Sequence, residues 1–179
     1  MLTETDKNLN QETNLVLIGG TALVIKYLSP RSTIDVDTYS KISKQLKLAW
    51  QKAEKKIGLA VPLSQSPISD GPYRMKDRFT LYNDLKLKYL KVFLPEAPDI
   101  VLMKTLRLLG KDRDDIRHLI KHCRIRDSIL LKRFTEEMDH VVGNYSVIKS
   151  HYLFIIEDSF GKMLANKHQK VIEKIARQI

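Results

Sequence analysis

Residues 14–40, NLVLIGGTALVIKYLSPRSTIDVDTYS, restrict the fold more than any other stretch. Leu15 to Ile18 is an apolar run short enough for a buried strand. Gly19-Gly20 follow, and Thr21 can start a short apolar helix from Ala22 to Leu28. Ser29-Pro30 ends it, because a residue before proline is pushed out of the α region. Thr33-Ile34-Asp35-Val36-Asp37 then alternates. Residues two apart in a strand share a face. Asp35 and Asp37 are therefore expected to point one way, and Ile34 and Val36 into the core.

Two carboxylates on one strand face, with Cα atoms about 6.6 Å apart, raise each other's pKa and need a partner. A divalent cation such as Mg²⁺ or Mn²⁺ supplies one. Hard cations of this kind take oxygen ligands and keep substrate phosphates in their remaining positions. The Gly-Gly turn can provide a second anchor for those phosphates. Glycine admits close approach of backbone N–H groups, and a helix N-terminus carries partial positive charge. Taken singly, Gly-Gly can mark only a tight turn, and exposed carboxylates on an edge strand are common. Strand, Gly-Gly, helix, then a strand with Asp-x-Asp is more specific, and suits a metal-bound nucleoside triphosphate.

On these residues the segment resembles the core of the nucleotidyltransferase superfamily that includes DNA polymerase beta. It is most similar to the toxins of abortive-infection type IV toxin–antitoxin systems and related bacterial proteins. The matching positions are Gly19, Gly20, Asp35 and Asp37. Arg31 fits the Arg-x-Thr-x-Asp-x-Asp form of that group. The resemblance implies that Asp35 and Asp37 are catalytic metal ligands. It also implies that Gly19, Gly20, Thr21 and Arg31 bind nucleotide.

Charge bears on the partner. The 31 Lys and Arg against 21 Asp and Glu give a net +10, with an isoelectric point near 9.6. That excess favours contact with a polyanion: nucleic acid, nucleotides or an acidic protein. A generally lysine-rich proteome would give the same balance without such contact. Other classes recede. A hydrophobic fraction of 43% is ordinary for a globular chain. No stretch approaches the eighteen or so apolar residues of a membrane span. Met1 to Glu12 is polar and lacks the layout of a signal peptide. The single cysteine, Cys123, excludes an internal disulfide and fits a reducing cytoplasm.

Further along, Met1 to Thr13 reads as a polar leader, helical or frayed. Ser40 is the expected cap of an amphipathic helix from Lys41 to Ile57, where Ile42, Leu46, Ala49, Trp50, Ala53 and Ile57 recur at helical steps. Gly58 stands at its C-cap, and Trp50 reads as a core anchor. Leu59 to Gly71 reads as a loop, rich in proline and serine. Strands are expected over Arg74–Asn83 and Leu85–Leu94. From Asp99, an expected N-cap, the pattern is helical to the end, with segments from Asp112, over Asp127–Met138 and Tyr145–Glu157, and from Phe160. Tyr145, Tyr152 and Phe154 read as core. His118 and His122 lie four apart, but the Glu of a His-Glu-x-x-His zinc motif is absent.

A second constellation lies in Asp99 to Ile116, DIVLMKTLRLLGKDRDDI. Lys104 and Arg107 share a helix face, as do Asp112 and Asp115. Two readings stay open: a salt-bridge network locking two helices, or Lys104 and Arg107 reaching a triphosphate. The resembled group carries a similar segment, matched by Lys104, Arg107, Lys111, Asp112 and Asp115, which implies the second. Where that superfamily has a third carboxylate on a later strand, often the general base, this chain offers Asp77 first and Asp84 second.

The expected fold is α+β: a nucleotidyltransferase-like mixed sheet flanked by helices over residues 1–98, then a helical region over 99–179. The expected function is Mg²⁺- or Mn²⁺-dependent transfer of a nucleoside monophosphate from a triphosphate to an RNA, such as a tRNA end, or to a protein hydroxyl. The resemblance implies a cytoplasmic bacterial toxin–antitoxin or phage-defence setting, with a cognate toxin or antitoxin as partner. The alternative is a degraded module that binds nucleotide, nucleic acid or a partner protein without turnover.

Overall fold

The computed structural model describes residues 1–30, 32–66 and 71–176. It divides into two compact units, Met1–Ile68 with Arg78–Pro95, and Ser69–Asp77 with Glu96–Ile179. The fold is α+β, a five-stranded mixed sheet with flanking helices and C-terminal helices.

The first unit is built on β1 (Thr13–Ile18), in the middle of the sheet order β3-β2-β1-β5-β4. Its last four residues are all buried, as a strand covered on both faces requires. β1 runs antiparallel to β2 (Val36–Thr38) and parallel to β5 (Leu90–Leu94). β5 buries Leu90, Val92 and Leu94 and turns Lys91 and Phe93 outward, with the period of a half-covered strand. The edges are short: β3 (Leu63–Gln65) beside β2, and β4 (Thr80–Leu81) beside β5.

Three helices belong to this unit: α1 (Leu2–Lys7), α2 (Gly19–Tyr27) and α3 (Lys44–Ile57). α3 is the expected amphipathic helix, started later than its periodicity suggests. Ser43 is its cap and accepts from the Leu46 N–H at 3.1 Å. Ser40 instead accepts from the Val16 N–H at 2.8 Å, which fixes the end of β2 to β1. Gly58 closes α3 in the left-handed region at φ 67°. Trp50 is a core anchor, its indole N–H donating to the Val61 carbonyl at 2.8 Å.

Several sequence expectations need correction. The expected loop after Gly58 contains β3, and the Ser66 N–H just past its end donates to the Thr38 carbonyl. β3 has weak strand propensity and exists because β2 offers it an open edge. The expected strand from Arg74 contracts to Thr80–Leu81, preceded by a 3₁₀ turn at Met75–Arg78. Strand pairing over Leu85–Leu94 begins only at Leu90. Ile34, expected in the core, is 73% exposed.

The polar leader holds a buried functional group of the fold. Asp6 accepts the backbone N–H groups of Lys88, Tyr89 and Leu90 at 2.9, 2.7 and 2.7 Å. This carboxylate starts β5 from more than eighty residues away. Burial pushes Asp6 up, but the Lys88, Leu90 and Tyr89 N–H groups, with Lys91 nearby, outweigh it and hold the carboxyl below its usual 3.8. A depressed folded-state value stabilises fully above 3.8 and less as pH falls below it. Asp6→Ala is therefore expected to destabilise by about 3 kcal/mol in urea unfolding at neutral pH, since three N–H groups lose a charged acceptor. The loss should shrink in acid. Equal losses at pH 7 and pH 3 would refute this account.

The second unit is helical. It comprises α4 (Ala97–Arg107), α5 (Asp112–His122), α6 (Asp127–Glu137), α7 (Tyr145–Phe160) and α8 (Lys162–Ala176). Asp99 is not the N-cap of α4. That place is Glu96, and Asp99 is fully buried in the first turn, where it accepts from Arg133 at 2.8 Å. Asp158 on α7 accepts from Arg113 and Arg117 on α5, and these guanidinium groups hold its carboxyl down at about 2. Tyr152 is buried as expected, stacked on Phe134 with ring centroids 4.0 Å apart. Its hydroxyl lies 2.9 Å from His168, which in turn meets Asp127. Tyr145 and Phe154, expected in the core, are both 44% exposed. Among the described residues no helix is long and apolar enough to cross a membrane.

Candidate functional site

The junction of β1 with α2 brings the first constellation together within the first unit. β1 runs into α2 without an intervening loop: Ile18 is extended and Gly19 takes a left-handed φ of 61°. The β1–β2 register sets Asp37 directly across from Ile18. A Cβ at Gly19 would lie 2.8 Å from Asp37 Oδ2 and 3.5 Å from Asp37 Cβ. Glycine is thus required twice, by the backbone angle and by the carboxylate that occupies the space of its missing side chain.

Burial alternates through β2. Val36 and Thr38 are buried, while Asp37 is half-buried and Asp35, just before the strand, is exposed. Thr38 donates to the Val16 carbonyl at 2.8 Å and accepts from the Ser40 N–H at 3.0 Å. Thr21 donates from Oγ1 to the Asp35 carbonyl at 2.8 Å. Its hydroxyl therefore ties the Asp35 backbone to the first turn of α2. Gly20 lies in that turn, which has no acidic residue and no side-chain cap. The first N–H groups of a helix have no partner within the helix, and here the Asp37 carboxylate lies against the residue that opens it.

This donor set fits a hard divalent cation. Two carboxylates are the usual protein share of a Mg²⁺ site that keeps water and phosphate oxygens in its other positions. Among the described residues no group of three His, Cys, Asp or Glu side chains gathers as a metal site. The strand next to β2 brings Ser64, not a carboxylate, into register with Asp37. No sequence signal marks Ser64, because Leu63-Ser64-Gln65 has neither alternation nor strand-forming residues.

Asp77 sits on the 3₁₀ turn of the second unit, not on a strand, with its carboxylate 3.8 Å from Arg74. Asp84 is exposed, outside any strand. Lys104 is 4% exposed, with its ammonium 2.8 Å from Asp112 and 2.7 Å from Asp115. Arg107, whose side chain is 63% exposed, reaches Asp112 at 3.0 Å. Asp112 also accepts from the Leu109 N–H at 3.0 Å. The salt-bridge reading of this segment is thus realised within the second unit, α4 locked to α5. His118 and His122 stack with centroids 5.3 Å apart. Arg31 lies outside the described residues.

A strand, a glycine-initiated helix and a paired strand that sets Asp37 against that glycine, with the Asp35 backbone tied to the helix, define a nucleotidyltransferase-like core. Residues 1–156 match the family model described as nucleotidyltransferase of unknown function (DUF6036), and the chain belongs to that family. No curated protein and no solved structure matches it significantly.

The double demand on Gly19 gives a prediction. Gly19→Ala is expected to cost about 1–2 kcal/mol through the left-handed backbone alone, and to displace Asp37 as well. Thermal unfolding with and without Mn²⁺ should show both a lower midpoint and a smaller gain on adding metal. An unchanged metal-dependent gain would separate Gly19 from the carboxylate.

Proposed function

We propose that the chain transfers a nucleoside monophosphate from a nucleoside triphosphate to a hydroxyl acceptor, releasing pyrophosphate. The reading is supported above all by the fit of Asp37 into the space left by Gly19, which places a carboxylate against a helix N-terminus. Asp35 and Asp37 would hold Mg²⁺ or Mn²⁺. Once bound, the cation supplies positive charge against the triphosphate. The first N–H groups of α2, at Gly19, Gly20 and Thr21, face the phosphates, as helix N-termini do in anion sites. Thr21 holds Asp35 in place through its carbonyl. The acceptor oxygen forms a bond to the α-phosphorus, the α–β anhydride bond breaks, and pyrophosphate leaves with the electron pair. The hydroxyl proton goes to a base or to solvent. Such chemistry asks for positioning and electrostatics more than covalent help. An RNA end and a protein hydroxyl are both suitable acceptors, and a toxin–antitoxin or phage-defence role accords with the sequence resemblance.

One observation favours a second reading. Ser64 stands where the neighbouring strand could have supplied a third carboxylate beside Asp37. With two carboxylates alone, the junction could bind nucleotide without turnover. Incubation with each α-labelled nucleoside triphosphate and Mg²⁺ or Mn²⁺ decides between them. Label on total RNA or on protein supports transfer. Nucleotide binding without label on either supports the binding module.

A further inference from the structure

The solvent face of α3 is strongly basic. The helix carries Lys44, Lys47, Lys52, Lys55 and Lys56 against one acid, Glu54. Glu54 is engaged by the Val61 N–H at 2.8 Å, and Lys56 pairs with Glu4 at 2.6 Å. Among the described residues, Lys44, Lys47, Lys52 and Lys55 meet no carboxylate.

An open groove of about 790 Å³ runs between this face and the segment that follows α1. No acidic residue lines it. Lys44 and Lys52, eight residues apart, rise along its α3 side about 12 Å from one another. A chain of carboxamides joins its two walls, with Gln45 on α3 and Asn10 and Gln11 on the other side. Gln11 donates to Gln45 at 2.6 Å, and Gln45 donates to Asn10 at 2.7 Å. That arrangement leaves the Asn10 NH₂ and the Gln11 carbonyl oxygen at its two ends, one a donor and one an acceptor. Leu48, half exposed, adds an apolar surface beside them.

We infer that this groove binds single-stranded nucleic acid. Lys44 and Lys52 neutralise successive regions of the phosphate backbone. Base edges present donors and acceptors together, which Asn and Gln side chains match on both counts. Leu48 offers contact to a base face. An acidic peptide would also satisfy the lysines, and competition by an oligoglutamate separates it from a strand. The site is independent of Asp35 and Asp37, so it holds whether or not the chain transfers a nucleotide.

The test is fluorescence anisotropy of the whole chain with labelled RNA and DNA strands of about twelve nucleotides, over a salt series. Lys44→Gln with Lys52→Gln is compared with Lys86→Gln with Lys88→Gln, which removes the same charge from residues that do not line the groove. The groove pair is expected to weaken binding about tenfold and to flatten the logarithmic salt slope by about 1.4, since each single-strand phosphate contact contributes about 0.7. The second pair should change affinity about twofold or less. A preference for RNA or for DNA identifies which strand the groove takes. Asp35→Ala with Asp37→Ala should leave binding intact, so failure of the transfer reading would not register here. The inference is overturned if neither strand binds, if both lysine pairs lower affinity equally, or if an oligoglutamate of matched charge competes as well as the unlabelled strand.

Discussion

Asp37→Ala is expected to lower nucleotide transfer at least about a hundredfold, the scale on which removing one preorganised charge-stabilising group acts. Asp35→Ala should lower it less, because Asp35 is exposed whereas Asp37 is lodged against Gly19. The cleaner substitution is Asp37→Asn, which keeps the side-chain shape beside Gly19 and removes the charge. Folding should survive Asp37→Asn, which keeps the shape that fits beside Gly19. What should vanish is the upward shift on adding Mn²⁺, because a ligand that binds only the folded state stabilises by mass action. Single-turnover label transfer and metal-dependent melting are the two measurements. Wild-type transfer by Asp37→Asn would remove Asp37 from the chemistry. Lost transfer with an intact Mn²⁺ shift would mean the cation sits elsewhere.

Local chemistry decided what could be read from the sequence. β1 and α2 were legible because each carries a strong local signal, an apolar run and a glycine pair at a helix start, whereas the alternation around Asp35 and Asp37 reached too far: the strand begins at Val36 and Ile34 is exposed. α3 was legible from its lysine-backed apolar stripe, though its start was not, since Ser40 and Ser43 both precede the stripe and only the fold assigns one to β1 and the other to the cap. β3 was hidden because its strand character comes from β2's open edge rather than from Leu63-Ser64-Gln65. Asp6 was hidden for a similar reason, its three partners lying more than eighty residues away. The Lys104 segment shows a different limit. Spacing alone gives the same faces to an ion-pair lock and to a phosphate clamp, and only burial separates them.

Lys104→Ala is accordingly expected to be the most destabilising single substitution considered, at about 3–5 kcal/mol, because it leaves Asp112 and Asp115 buried without their shared cation. Against a typical domain stability of about 5–15 kcal/mol, a loss of that size threatens folding near body temperature. Asp112 keeps Arg107 and the Leu109 N–H, while Asp115 loses an ammonium that lies 2.7 Å away. A double variant, Lys104→Met with Asp115→Leu, removes the ammonium together with one of its two carboxylates. It should recover more than half of the loss, as apolar replacement of buried ion pairs does elsewhere. The pH dependence separates electrostatics from a packing defect. In the wild-type chain burial raises Asp112, but the hydrogen bond and charge of Lys104, then those of Arg107, hold it below the usual 3.8. Its stabilisation is therefore complete above 3.8 and fades as pH falls below that value. Without Lys104 that depression weakens and the buried carboxylates gain from protonation, so the gap between variant and wild type should narrow steadily from pH 7 towards pH 4. Urea unfolding across that range reads the gap directly. A gap that stays constant with pH would mean that the Lys104 stem, and not its charge, holds α4 against α5.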